Sequence, residues 1–122
     1  MQDLVGIVRQ ESEMREALTR LTALSERAAR AGACGNREYN TGWHTALDLA
    51  NMLPISEAVA RSAIERRESR GAHFREDYPD KDPAFGKVNI IVRRTADGGM
   101  EVLRAPGQEL SPELKQVIEE NK

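Results

Sequence analysis

The chain has 122 residues, the length of one domain at roughly 100–200 residues per domain. Hydrophobic residues make up 39%, aromatics 4% and charged residues 31%, so the core must come from Leu, Ala, Val, Ile and Met, which favours packed helices over a sandwich or barrel. Eighteen Lys and Arg against twenty Asp and Glu leave a net charge of −2, which excludes the broad cationic field that nucleic acid binding needs.

Asp3 to Val8 reads as a short helical turn, with Leu4, Val5, Ile7 and Val8 as apolar cover. Met14, Leu18, Leu21, Leu24 and Ala28 then recur at spacings of three and four, with Glu13, Glu16, Arg20, Glu26, Arg27 and Arg30 between them. This pattern predicts an amphipathic helix over about 12–31, capped by Ser12 and stopped by a positive-φ Gly32. After a small-residue loop, Trp43, Leu47, Ala50 and Leu53 lie on one side of a second helix that Asn40 or Thr41 caps. Pro54 interrupts this pattern, yet Ile55, Ala58, Val59, Ser62 and Ala63 resume it at once. The expectation is one long helix over about 41–69, kinked near Pro54; the alternative is two helices with Pro54 in the first turn of the second. Leu18, Leu21, Trp43, Leu47 and Val59 are expected in the seam where the helices pack together.

Residues 71–86, ending in Tyr78-Pro79-Asp80-Lys81-Asp82-Pro83, cannot continue a helix and read as an ordered charged loop. Val88, Ile90, Ile91 and Val92 favour a strand that Met100 to Arg104 answers across Asp97-Gly98-Gly99, which predicts a hairpin. A last short helix begins at Ser111 with Pro112 at its first position and Leu114, Val117 and Ile118 as its apolar stripe. The fold class expected is mainly α. One structural domain divides into a helical part over 1–70, the loop over 71–86 and a C-terminal extension over 87–122.

Cys34 is the single cysteine and has no disulfide partner. Its spacing from His44 and His73 matches no compact metal-ligand motif. No run approaches the ~18 apolar residues of a membrane span, and no basic stretch leads into an apolar signal region. These features predict a cytoplasmic chain with no direct membrane span. Neither G-x-G-x-x-G nor a P-loop occurs, so no cofactor or metal is expected on this stretch itself.

The densest cluster is Arg66-Arg67-Glu68-Ser69-Arg70-Gly71-Ala72-His73-Phe74-Arg75-Glu76-Asp77-Tyr78-Pro79. Two readings of it are open. In one, His73 beside Asp77 moves a proton while Arg70 and Arg75 hold a carboxylate substrate. In the other, the charges form a hydrogen-bonded knot, with Gly71 as the positive-φ helix stop and Tyr78-Pro79 as a packed, extended exit.

The string from Arg67 to Pro79, together with Asn36-Arg37-Glu38-Tyr39-Asn40-Thr41-Gly42-Trp43-His44-Thr45-Ala46-Leu47-Asp48-Leu49 and Asn51-Met52-Leu53, closely resembles the C-terminal part of the succinate dehydrogenase and fumarate reductase flavoprotein subunit. Ala72 looks more like that subunit than like L-aspartate oxidase, which tends to carry a larger residue there. The resemblance implies a three-helix bundle of the spectrin-repeat kind with a C-terminal extension. It also implies a fragment: the FAD-binding region and the residues that handle the dicarboxylate lie upstream in the family, so no catalytic role passes to this stretch. The partners it implies are the flavin-binding part of the parent subunit and an iron–sulfur subunit. Arg70, Gly71, His73, Arg75, Asp77, Tyr78 and Pro79 are then candidates for a structural or interface role. The equivalent domain of L-aspartate oxidase and an independent helical binding module are the alternatives.

Overall fold

The computed structural model describes residues 1–121. Residues 1–6 form a single turn, closed by the Val5 amide donating to the Met1 carbonyl at 2.8 Å. The chain then extends as β1 (Val8–Arg9) instead of completing the expected helical turn. Helix α1 (Glu11–Ala28) follows, and two further bonds of the i→i+3 type, Arg30 to Arg27 and Ala31 to Ala28, carry its coil on. Ser12 is inside the helix and caps nothing. Gly32 does not take positive φ; Gly35, three residues later, does.

Helix α2 (Thr41–Glu65) runs unbroken through Pro54, so the single long helix is the alternative that holds, ending four residues before the expected limit. Asn40 caps it twice over. Its Oδ1 accepts from the Trp43 amide at 3.2 Å, and its Nδ2 donates to the carbonyls of Cys34 and Asn36, tying the loop to the helix start. A two-residue strand, β2 (Phe74–Arg75), pairs in parallel with β1, with Val8 opposite Phe74 and Arg9 opposite Arg75. A 3₁₀ turn, Phe85–Lys87, leads into β3 (Val88–Arg94) and β4 (Met100–Pro106), which form a two-stranded antiparallel sheet against α2. Helix α3 (Pro112–Glu120) closes the chain, with Ser111 Oγ accepting from the Leu114 amide at 3.3 Å.

The three-helix bundle is not what these helices form. Pro54 does not divide α2 and residues 1–6 make only one turn, which leaves two long helices, while α3 buries no residue. The core lies between α1 and α2: Met14 and Ala17 meet Ala60 and Ala63, with Val5 closing one end and Leu4, Leu18 and Ile64 packed against them. Of the expected seam, Leu21 is buried and Leu18 and Trp43 are half-buried, whereas Leu47 and Val59 are 47% and 41% exposed. The reason is phase. The buried positions of α2 are Leu53, Ala60 and Ala63, and a residue six places from Leu53 in either direction sits about 120° round the helix from it. Alanines form the seam, so the helices approach closely and the larger side chains turn outward.

Deleting the Met14 side chain, which is fully buried, should therefore cost about 2–5 kcal/mol as Met14→Ala, whereas Leu47→Ala should cost well under ~1 kcal/mol. Urea unfolding of both variants checks the helix phase, and a reversed order contradicts it.

Candidate functional site

Helix α2 ends where the chain must turn back under itself, leaving carbonyls without intrahelical partners. Arg75 supplies the missing donors. Its side chain is fully buried, and Nη1 donates to the carbonyls of Ala63 at 2.9 Å, Ile64 at 3.3 Å and Arg66 at 3.4 Å. The other edge of the guanidinium grips Asp77 in bidentate fashion, Nε to Oδ1 at 2.7 Å and Nη2 to Oδ2 at 2.5 Å, and Nη2 also reaches Glu11 at 3.5 Å. Asp77 Oδ2 in turn accepts the backbone N–H of Glu11 at 3.3 Å, the first residue of α1. One ion pair thus caps two helices, cation at a C-terminus and anion at an N-terminus, as the helix dipoles favour. The Arg75 guanidinium also lies over the Tyr78 ring, 5.0 Å from its centroid. Hydrogen bonding to Arg75 holds the Asp77 carboxyl below its usual range.

A second ionic centre sits beside the first. Glu68 is fully buried. It accepts from Arg70 Nε at 2.9 Å and Nη2 at 3.0 Å, from Arg66 Nη1 at 2.5 Å, and from the Asp82 amide at 3.0 Å. These donors, Arg70 foremost, lower its carboxyl pKa to about 2 against the opposing effect of burial. Arg66 extends the network to the carbonyls of Phe85 and Val88, both at 3.1 Å, so the end of α2 is tied to the start of β3. Ser69 stitches the loop itself: its Oγ donates to the Tyr78 carbonyl at 2.8 Å and accepts the Arg75 amide at 2.8 Å.

Gly71 has the positive φ expected of it, 58°, but ends no helix. It is the first central residue of a two-residue turn in which Arg70 and His73 exchange backbone hydrogen bonds of 2.8 and 3.0 Å, a position that glycine fills without strain. The turn delivers His73 to a place between two other elements. Its Nδ1 lies 2.6 Å from Arg9 Nη1 on β1, and its Nε2 lies 3.0 Å from the Arg66 carbonyl. A guanidinium only donates, so Nδ1 accepts, Nε2 carries the proton and the ring is neutral. Burial, and then the positive charges of Arg9, Arg75 and Arg66, depress its pKa, with the hydrogen bond to Arg66 opposing.

Of the sequence candidates, the structure brings Arg75, Asp77 and Tyr78 together and places Arg70 on Glu68. His73 meets Arg9 and the Arg66 carbonyl, and no hydrogen bond links it to Asp77. Pro79 lies at the surface. The guanidiniums that a carboxylate substrate would need are spent on Asp77, Glu68 and backbone carbonyls. Arg9 and Glu11 sit 64 residues from their partners, and no local sequence pattern marks them. Among the described residues, no three of His, Cys, Asp and Glu converge so as to hold a metal ion. No helix among them is long and apolar enough to cross a membrane.

The sequence matches, over residues 1–117, the family described as "Fumarate reductase flavoprotein C-term". The chain belongs to that family. Among relatives, the fumarate reductase flavoprotein subunit of Mycobacterium tuberculosis (strain H37Rv) is 34% identical over 103 residues, 84% of this chain and 18% of that protein. The succinate dehydrogenase flavoprotein subunit of Coxiella burnetii is 42% identical over 85 residues, 69% of this chain and 14% of that protein. A solved Mycobacterium smegmatis Sdh1 chain in complex with UQ1 superposes with a TM-score of 0.89 at 41% identity, covering 98% of this chain and 20% of that one. L-aspartate oxidases of Yersinia pestis and Vibrio cholerae are also similar. This flavoprotein C-terminal domain therefore spans a fifth or less of the length of the relatives it matches.

Acid should loosen the domain in two steps. His73 titrates at 6.5 when unfolded and lower when folded, so the unfolded chain binds the extra proton first and stability falls as pH drops below 6.5. His73→Gln should flatten that part of the stability–pH curve, measured by urea titration at stepped pH. Glu68 falls from 4.5 to about 2 on folding, a contribution to stability that is complete above pH 4.5 and lost as pH falls through 2. Glu68→Gln should remove that contribution at pH 7 and lose less as pH drops. An equal loss at all pH values contradicts the ionic role.

Proposed function

We propose that this chain acts as the C-terminal domain of an FAD-dependent flavoprotein that interconverts succinate and fumarate, with a structural and docking role and no chemistry of its own. The observation that carries the reading is the family match over residues 1–117, joined to superposition on Sdh1 along 98% of the chain. The parts 1–70, 71–86 and 87–122 work as one unit, because Arg66 and the Arg104–Glu65 pair at 2.6 Å bind the last to the first.

The described residues do not fit the flavin's phosphates. The strand-to-helix turn from β1 to α1 has the shape that could take a pyrophosphate, but it carries Gln10 and no glycine, and its first amide already donates to the Asp77 carboxylate. Glu11 and Glu13 in the first turn of α1 repel a second anion. FAD and the dicarboxylate then bind elsewhere in the parent subunit. This domain supports the flavin-binding part and lends surface to the contact with an iron–sulfur subunit, on the cytoplasmic side of the membrane.

In the intact flavoprotein, His73→Gln should leave single-turnover reduction of FAD by succinate within about tenfold of the parent, because the amide keeps much of the hydrogen-bonding capacity of the neutral ring. Arg70→Ala should damage assembly more, since it strips donors from a buried carboxylate at about 1–3 kcal/mol for each unmet acceptor. A drop of a hundredfold or more in the flavin step for His73→Gln, with FAD content and assembly intact, assigns His73 to catalysis and overturns the structural reading.

A further inference from the structure

Among the described residues, three arginines are drawn away from solvent: Arg9, Arg66 and Arg75. Two of them have carboxylates, since Arg66 meets Glu68 and Arg75 meets Asp77. Arg9 has none. Its Nε donates to the Gly6 carbonyl at 2.6 Å and its Nη1 to the neutral ring of His73, while Nη2 has no partner among the described residues. Burial, and then the like charge of Arg75, lower the Arg9 pKa. A guanidinium withdrawn from water without an anion is a cost that this domain leaves uncompensated.

The same side chain stands in the wall of an apolar groove. Ile55, Ala58, Val59 and Ala63 line it along α2 and Ile90 lines it from β3, with Arg9, Arg66 and His73 gathered at the C-terminal end of α2. From residue 55 to residue 66 it runs roughly 16 Å along the helix. No carboxylate among the described residues lines it. Ile55 is 64% exposed and Val59 41%. The composition of α2 fits a covered position: Asp48, Glu57, Arg61 and Glu65 are the only charged side chains in its 25 residues, whereas the 18 residues of α1 hold seven. A helix so apolar around its circumference belongs in an interior, and α1 covers one side of it.

We infer that this groove seats an apolar segment of the flavin-binding part of the parent polypeptide, and that an Asp or Glu on that segment pairs with the free Nη2 edge of Arg9. The apolar floor selects apolar side chains, and an unpaired guanidinium among other cations selects an anion. A second copy of this groove would set Arg9 against cations only, so a symmetric contact between copies is disfavoured. Chain continuity selects the parent polypeptide over a separate subunit. The family is a C-terminal one and the domain covers 20% of the Sdh1 chain, so in the parent the remaining polypeptide joins through residues 1–9, the segment that carries Arg9 into the groove wall. Tethered there, it meets the groove at an effective concentration on the order of millimolar, an advantage that a separate subunit lacks. This inference rests on the proposal that the chain is the C-terminal domain of such a flavoprotein.

The test uses the intact, purified flavoprotein complex. A photo-crosslinking amino acid replaces Ile55, and the crosslinked peptide is identified by mass spectrometry. The expected product joins α2 to a peptide of the same polypeptide's flavin-binding part that contains Asp or Glu. In parallel, adding Arg9→Glu to Val59→Cys should speed maleimide labelling of the new thiol at least tenfold, and changing the crosslinked acid to Arg in the same protein should slow it again. Ile55→Lys, at an exposed position that the domain's own core does not use, should speed the labelling as well without touching Arg9. A crosslink to another subunit, to a second copy or to nothing overturns the inference, as does labelling that Arg9→Glu and Ile55→Lys both leave unchanged. FAD content and succinate-driven flavin reduction report on the functional reading separately. Normal values with a failed crosslink sink the docking groove alone, and absent values sink the functional reading on which it rests.

Discussion

The Arg75–Asp77 pair is the contact on which the rest of the domain depends. A fully buried guanidinium loses several kcal/mol of hydration, and only a dense set of acceptors offsets that loss. The fold supplies three carbonyls from the end of α2, a bidentate carboxylate and Glu11. Since Asp77 also takes the first amide of α1, the relative placement of the two helix ends is set by a planar group of fixed width. Hydrophobic packing along the alanine seam holds α1 and α2 together without direction. The ion pair fixes which turn faces which.

Around this centre the loop after α2 behaves as a second, polar core. Glu68 gathers Arg66, Arg70 and the Asp82 amide, and Ser69 closes the backbone between residues 69 and 78. Phe85, buried, has the guanidiniums of Arg66 and Arg104 over its ring at 5.5 and 4.6 Å. The antiparallel sheet is thereby joined to the helices through charged side chains as well as apolar ones. With aromatics at 4% of the chain, the stems of buried arginines fill space that Phe or Trp would otherwise occupy.

Long elements were legible in the sequence and short ones were not. Periodicity located α1, α2 and α3, and the β-favouring run from Val88 to Val92, answered across Asp97-Gly98-Gly99, located the strands at 88–94 and 100–106. The seam of α2 was misphased because large side chains attract attention, while Ala60 and Ala63 do the packing. Strands of two residues have no period to detect, so Val8–Arg9 read as part of a helical turn. At the site, the string from Arg66 to Pro79 announced a charged cluster, and Gly71 announced its positive φ. The far partners, Arg9 and Glu11, were invisible because their meaning comes from pairing β1 with β2 across more than 60 residues. Ser12 looked like a cap because the true cap, Asp77, is remote in sequence.

That remoteness has a consequence for synthesis. The amide that opens α1 waits for a carboxylate 66 residues later. At roughly 5–20 residues per second, Glu11 is incorporated on the order of 3–13 s before Asp77. During that interval the start of α1 has no anchor. A nascent chain halted between α2 and Tyr78 would present both helices without the clasp that orders them, which makes this stretch of translation the one in which a chaperone finds the most exposed Leu, Met and Ala surface.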